Sequence, residues 1–145
     1  MNNLLKIAFR LNALSCLGFG AVFILNPDTV GAFLDGFPPD ILRWIGIGLG
    51  LNGLHLVFAS FRKRIGRVEV IYFVLGDVAW VLGSLVLVIF VPEMIHSPLA
   101  ITVTLVVALF VGAIAALQTR WGWSVLEGKQ GSATVLVGKG KRGIF

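Results

Sequence analysis

Residues 68–91 read VEVIYFVLGDVAWVLGSLVLVIFV, a run that is almost wholly apolar and carries one carboxylate, Asp77, near its middle. At a rise of about 1.5 Å per residue, a helix of this length crosses a hydrocarbon layer about 30 Å thick. A charged side chain at that depth is costly, so it needs a partner, a proton or water. The stretch therefore predicts a transmembrane helix whose polar point faces other helices.

The composition of the chain supports the same interpretation. Of its 145 residues, 57% are hydrophobic and 13% are charged, whereas soluble domains carry about 25% charged residues. The net charge of +5 does not predict nucleic-acid binding, because the basic residues flank apolar runs and form no basic face with exposed aromatic residues. The single cysteine, Cys16, provides no disulfide framework. We therefore expect the lipid bilayer, and no nucleic acid, as a partner.

The other apolar runs predict an all-α fold, a four-helix transmembrane bundle with short loops and a membrane domain at 1–118. Its spans are expected at about 4–25, 41–61, 68–91 and 98–118. The first run has a basic start like a signal peptide. Because it continues to Leu25 with no A-x-A cleavage site, we expect a retained helix.

The outer connection between the first two spans, at 28–40, is rich in proline and aspartate. We expect an interfacial half-helix there, with Asp28 as its cap and the Phe-Pro-Pro sequence at 37–39 as its stop. A lid over a cavity is the alternative.

Basic residues predict the orientation of the bundle. All but Arg43 fall on one side of the predicted bilayer: Lys6, Arg10, Arg62, Lys63, Arg64, Arg67, Arg120, Lys129, Lys139, Lys141 and Arg142. Basic loops stay in the cytoplasm, so we expect a multi-pass protein of the inner (plasma) membrane with both termini cytoplasmic. The segment 119–145 is predicted to be a basic, glycine-rich cytoplasmic tail attracted to anionic lipid or to a partner protein.

A shift of 65 residues aligns Asn12 with Asp77, and it also aligns two further pairs, Gly18 with Gly83 and Pro27 with Pro92. A tandem repeat of two helical hairpins in the same orientation would produce these matches. Three matches in apolar sequence also arise by chance.

Polar side chains inside the spans fall at similar depths. Asn12, Asn52 and Asp77 each lie about nine residues, or about 13 Å, from the cytoplasmic ends of their spans. Neighbours on the same faces complete a predicted intramembrane polar cluster: Asp77, Asn12, Asn52, His55, Arg10, Trp80 and Ser84.

Two interpretations of the polar cluster stand side by side. In the first, it holds the helices in register through interhelical hydrogen bonds. In the second, it is a ligand or ion site built on Asp77, with His55 as a proton relay. Arg10 or His55 would supply a positive partner for the Asp77 carboxylate, although Arg10 could equally extend to the lipid headgroups.

Small residues at helical spacing predict the faces on which helices approach closely: Gly46, Gly50, Gly53, Gly83, Ala108 and Gly112. Such faces fit the centre of a bundle. They would also fit a homo-oligomer or a subunit of a larger membrane complex.

No phosphate-binding loop, HExxH motif, Cys/His cluster or nucleophile elbow is present in the sequence, so we assign no catalytic residue, metal site or cofactor. The leading hypothesis is a non-enzymatic protein that acts through helix packing, as an oligomer or an accessory subunit. The second is a small transporter or proton-coupled carrier centred on Asp77. The third is a membrane-embedded enzyme that acts on a lipid or quinone, with Asp77 and His55 as acid and base.

Overall fold

The computed structural model describes residues 3–127, and every regular element in that part of the chain is a helix. There are five: α1 (Asn3–Leu25), α2 (Pro27–Phe33), α3 (Pro39–Phe61), α4 (Arg67–Phe90) and α5 (Pro98–Leu126). The predicted count of four helices is therefore corrected to five, because the outer connection contains a separate short helix. The four others are long and apolar enough to cross a membrane.

Helix α5 continues to Leu126, beyond the end predicted for the fourth span. The extra turns pack against the first turns of α1 and α4, where a Cβ added to Gly122 would lie 3.0 Å from Val70 and 3.8 Å from Leu5. Polar residues end the apolar run, but this packing lets the helix continue. The predicted division between a membrane domain at 1–118 and a tail at 119–145 stays a prediction, and 128–145 lie outside the described residues.

The short helix α2 begins two residues earlier than an Asp28 cap would require, at Pro27 instead of Thr29. Its N-cap is Asn26, and Pro27 occupies the first helical position, where its fixed φ and missing N–H are tolerated. Asp28 lies in the first turn, where a carboxylate interacts favourably with the helix dipole. The helix ends at Phe33, ahead of the prolines, and the backbone N–H groups of the next turn bond to the Gly31 carbonyl.

The four long helices form two antiparallel hairpins. α1 packs mainly against α3, and α4 packs mainly against α5, while α1 also contacts α5 and so joins the hairpins. The buried core lies towards the end that contains the α3–α4 loop, where the rings of Phe9 and Phe73 meet edge to face at a centroid distance of 5.2 Å.

Helix boundaries repeat at the spacing of the sequence echo. Moving the chain by 65 residues places the end of α1, Leu25, on the end of α4, Phe90. The same shift places the end of α3, Phe61, on the end of α5, Leu126. Equal spacing of the helix ends supports the predicted tandem repeat of hairpins, which stays a prediction.

At the opposite end of the bundle, Asp35 connects the two hairpins. Its Oδ2 accepts hydrogen bonds of 2.7 Å from the backbone N–H groups of both His96 and Ser97, at the start of α5. The bond from Ser97, and then that from His96, holds the pKa of Asp35 below its ordinary value. The stabilisation is therefore present above a pH of about 4 and is lost as the pH falls through the lowered pKa.

The predicted packing residues have different surroundings. Gly46 faces α1 so closely that an added Cβ would lie 2.9 Å from the Gly20 carbonyl oxygen, and Gly53 is similarly close to the Leu17 side chain. Gly50 adjoins Gly20 through its backbone nitrogen. In the other hairpin, Ala108 is buried and a Cβ on Gly112 would meet Val81 at 3.5 Å, whereas Gly83 is exposed with open space above it.

Replacing Gly46 by alanine tests the close approach of α1 and α3. We expect Gly46→Ala to lower the free energy of unfolding by about 1–3 kcal/mol, because the new methyl group would meet backbone that must move. The matched control is Gly48→Ala on the same helix, where the space is open and the higher helix propensity of alanine should add up to about 1 kcal/mol. Unfolding in detergent micelles, followed by circular dichroism, measures both. Equal stability of the two variants would contradict the packing described.

Candidate functional site

The Asp77 carboxylate is buried, with 4% of its surface exposed, and is held by amide groups from two other helices. Asn12 of α1 donates from Nδ2 to both carboxylate oxygens, at 3.0 Å to Oδ1 and 2.7 Å to Oδ2. Gln118 of α5 donates from Nε2 to Oδ2 at 3.0 Å. One side chain of α4 therefore joins three helices.

A second group of contacts orients the Asn12 amide. The Cys16 thiol donates to Asn12 Oδ1 at 3.4 Å, and Asn52 Nδ2 donates to Cys16 Sγ at 3.6 Å. With its oxygen facing the thiol, Asn12 turns its nitrogen towards Asp77. Asn52, predicted in the same polar layer, is thus connected to the carboxylate through Cys16 and Asn12 and does not bond to it directly.

His55 and Arg10, the two predicted cationic partners, both contact other groups. His55 Nε2 lies 3.4 Å from Glu69 Oε1 at the start of α4, and its ring packs edge to face on Phe73. The Arg10 guanidinium lies over the Phe61 ring, 5.6 Å from its centroid. The acid–base pair required by the enzyme hypothesis is therefore not assembled in this structure.

Trp80 and Ser84 lie on the same helix as Asp77. The Ser84 hydroxyl donates to the Trp80 carbonyl oxygen at 2.8 Å, so it is used within α4. The indole Nε1 of Trp80 is buried and has no hydrogen-bond partner within residues 3–127, and the same is true of Gln118 Oε1. Buried polar groups are normally paired, so this free donor and this free acceptor indicate incomplete satisfaction of the site.

A cavity of about 410 Å³ adjoins the carboxylate, within the range of roughly 300–1,000 Å³ typical of small-molecule sites. α1, α3 and α4 form most of its wall, with one residue from α5: Asn12, Ser15, Cys16, Phe19, Leu49, Asn52, Tyr72, Leu75, Gly76, Asp77, Trp80 and Val111. The wall is mostly apolar, and in the part of the chain that the structure describes it contains no lysine, arginine or histidine.

The cavity opens sideways, on the surface of the bundle. Tyr72 and Leu75 line it and are 53% and 60% exposed, so this part of α4 is not covered by another helix. α3 and α4 meet near the loop that joins them, where His55 contacts Glu69, and they are not among the closely packed helix pairs. A ligand would therefore reach Asp77 between α3 and α4.

Two members of the site, Gln118 and Cys16, were absent from the predicted cluster. Gln118 is completely buried, but it was predicted to be the last residue of its span and so to lie at the headgroup level. Counted from Leu126, the observed end of α5, it lies at the depth of Asp77. The misplaced helix end thus concealed it. Cys16 was not predicted in the cluster, although it lies one helical turn from Asn12 and therefore on the same face.

Within residues 3–127, no group of three or more His, Cys, Asp or Glu side chains is arranged to hold a metal ion. Comparison of the chain with protein-family models, with curated proteins and with solved structures found no match. What the site can do therefore follows from its geometry: a carboxylate acceptor, a free indole donor and aromatic rings surround a laterally open, mainly apolar space.

The polar cluster can be tested by removing Asn12 alone and together with Asp77. We expect Asn12→Leu to lower the free energy of unfolding by about 1–3 kcal/mol, because it leaves a buried carboxylate short of donors. The double variant Asn12→Leu/Asp77→Leu should regain part of that loss, since it has no buried charge to satisfy.

Ser84→Ala is the control for this cycle, because its hydroxyl bonds only within α4, and we expect a change below about 0.5 kcal/mol. Detergent unfolding measures all the variants. The single variant Asp77→Leu completes the cycle, and a double variant whose loss of stability equals the sum of the losses in Asn12→Leu and Asp77→Leu would show that Asn12 and Asp77 do not act together.

Proposed function

We propose that the protein is a multi-pass protein of the inner (plasma) membrane with both termini in the cytoplasm. Large apolar side chains such as Leu14, Phe58 and Leu109 are exposed on the long helices, which supports contact with lipid. The basic residues at the α3–α4 end of the bundle, opposite Arg43, support the orientation.

Cysteine labelling tests this orientation. In intact cells, a membrane-impermeant maleimide should label Glu93→Cys in the outer turn and should label Arg64→Cys in the inner loop only after permeabilisation. Both positions are exposed, whereas Cys16 is buried and should not react, so it serves as the internal control. Labelling with the opposite sidedness would overturn the proposed orientation.

We further propose that the protein binds a small, lipid-soluble molecule in the Asp77 cavity, as the binding step of a small carrier. One observation carries this proposal: a buried carboxylate forms part of the wall of a cavity that reaches the exposed side of α4. A polar layer that served packing alone would need no such space, because protein interiors are close-packed. The indole N–H of Trp80, which is buried and unpaired within residues 3–127, supports the proposal because it could donate a hydrogen bond to a ligand.

A carrier of this kind would couple its ligand to a proton if both bound the same oxygens of Asp77. The Asn12 and Gln118 amides, which come from α1 and α5, would hold the Asp77 side chain in place whether it carried the ligand or the proton. Proton coupling is one form of the carrier hypothesis, which also includes a small transporter centred on Asp77.

Filling the cavity from Gly76 tests the binding proposal. Gly76 lines the cavity and has open space where a Cβ would be, so Gly76→Phe should occupy it without disturbing the fold. We expect saturable binding of a small lipophilic probe to the protein in nanodiscs to weaken at least about tenfold in this variant. Gly83→Phe is the matched control, because Gly83 lies two turns along the same helix, has equally open space and is outside the cavity. An equal effect of the two substitutions would refute the site.

The oligomer or accessory-subunit function is the second candidate. It is favoured by Gly48 and Gly83, which are exposed and would let a helix of another chain approach closely. The mass of the detergent-solubilised protein tests it, and a monomer in mild detergent would count against it.

A further inference from the structure

Within residues 3–127, the carboxylate of Asp77 has no positively charged partner. Its hydrogen bonds come from the amides of Asn12 and Gln118, which are neutral. All three bonds are donated to the carboxylate, an arrangement that suits the ionised form. Among the described residues, those that line the cavity add no cation. An uncompensated anion in low-dielectric surroundings attracts positive charge.

Aromatic rings contribute to the same preference. Phe19, Tyr72 and Trp80 line the cavity together with Asp77. The negative face of an aromatic ring attracts a cation, most strongly for tryptophan and when water is excluded. An anionic ligand would meet repulsion from the carboxylate, and a neutral ligand would leave the charge uncompensated.

We infer that the Asp77 cavity binds a lipophilic cation, a molecule with one positive charge on an apolar body, such as a hydrophobic tertiary or quaternary amine or a phosphonium ion. This inference rests on the proposed ligand-binding function and names the class of ligand. The charge lies against Asp77 and the aromatic rings, and the apolar body lies against Leu49, Leu75 and Val111. The ligand enters from the lipid between α3 and α4.

Two probes of the same shape test the inference. Methyltriphenylphosphonium carries one positive charge, and 1,1,1-triphenylethane has carbon in place of phosphorus and no charge. Binding of each radiolabelled probe to the full-length protein in nanodiscs is measured by equilibrium dialysis. The amount bound by nanodiscs that contain the Gly76→Phe variant is subtracted as the lipid background. We expect the cation to bind at least about tenfold more tightly than the neutral probe.

Removing the charge of Asp77 should abolish this preference. We expect Asp77→Asn to weaken binding of the cation at least about tenfold and to change binding of the neutral probe less than about twofold. Should Asp77→Asn fail to fold, Tyr72→Leu provides the second variant, because it leaves the polar cluster intact and removes one aromatic ring. It should weaken binding of the cation more than binding of the neutral probe.

The outcomes separate the two proposals. If both probes bind equally above the Gly76→Phe background and Asp77→Asn changes neither, the cation preference is wrong and the binding site stands. If neither probe binds above that background, the binding site and the inference are both overturned.

Discussion

The bundle depends on one buried charge and the two amides that hold it. Asp77 of α4 accepts hydrogen bonds from Asn12 of α1, which span the junction between the two hairpins, and from Gln118 of α5, which lies in its own hairpin. In lipid, apolar contact between helices has little driving force, because the acyl chains are as apolar as leucine. For helices in a bilayer, polar contacts and close backbone approach therefore determine helix register. The polar contacts are concentrated at Asp77, and the close approach is at Gly20 and Gly46.

The predicted tandem repeat gives the helix pair that surrounds the cavity a counterpart elsewhere in the bundle. If α1 corresponds to α4 and α3 to α5, as the 65-residue spacing of the helix ends indicates, then the contact between α1 and α5 corresponds to that between α4 and α3. The first pair is packed, and the second surrounds the cavity. The bonded pair Asn12 and Asp77 are also equivalent positions in this scheme. The two hairpins thus differ at this position, where the first has the amide of Asn12 and the second has the carboxylate of Asp77. The carboxylate belongs to α4, one of the two helices between which packing is interrupted.

Sequence reasoning predicted the long helices well, because apolar runs of about 20 residues are a strong and local signal. It placed Asp77 and Asn12 in one layer by depth alone. It failed where tertiary contacts determine the structure. Packing of Gly122 lets α5 continue to Leu126, so Gln118 lies well inside the helix, at the level of Asp77, and not at its end. The cavity depends on the spacing between α3 and α4, which neither helix specifies in its own sequence, and Gly76, which leaves the space open, is one of several glycines in the spans.

A charge that served only to fix helix register would be better placed with its countercharge. His55 and Arg10 were both predicted near the depth of Asp77, yet His55 contacts Glu69 and Arg10 lies over the Phe61 ring. Neutral amides restrain Asp77 without cancelling its charge, and the missing side chain at Gly76 keeps the space beside it open. Because an isolated buried charge lowers stability, keeping one beside an open cavity is costly for architecture and useful for binding. The combination favours a site whose positive charge arrives with the ligand.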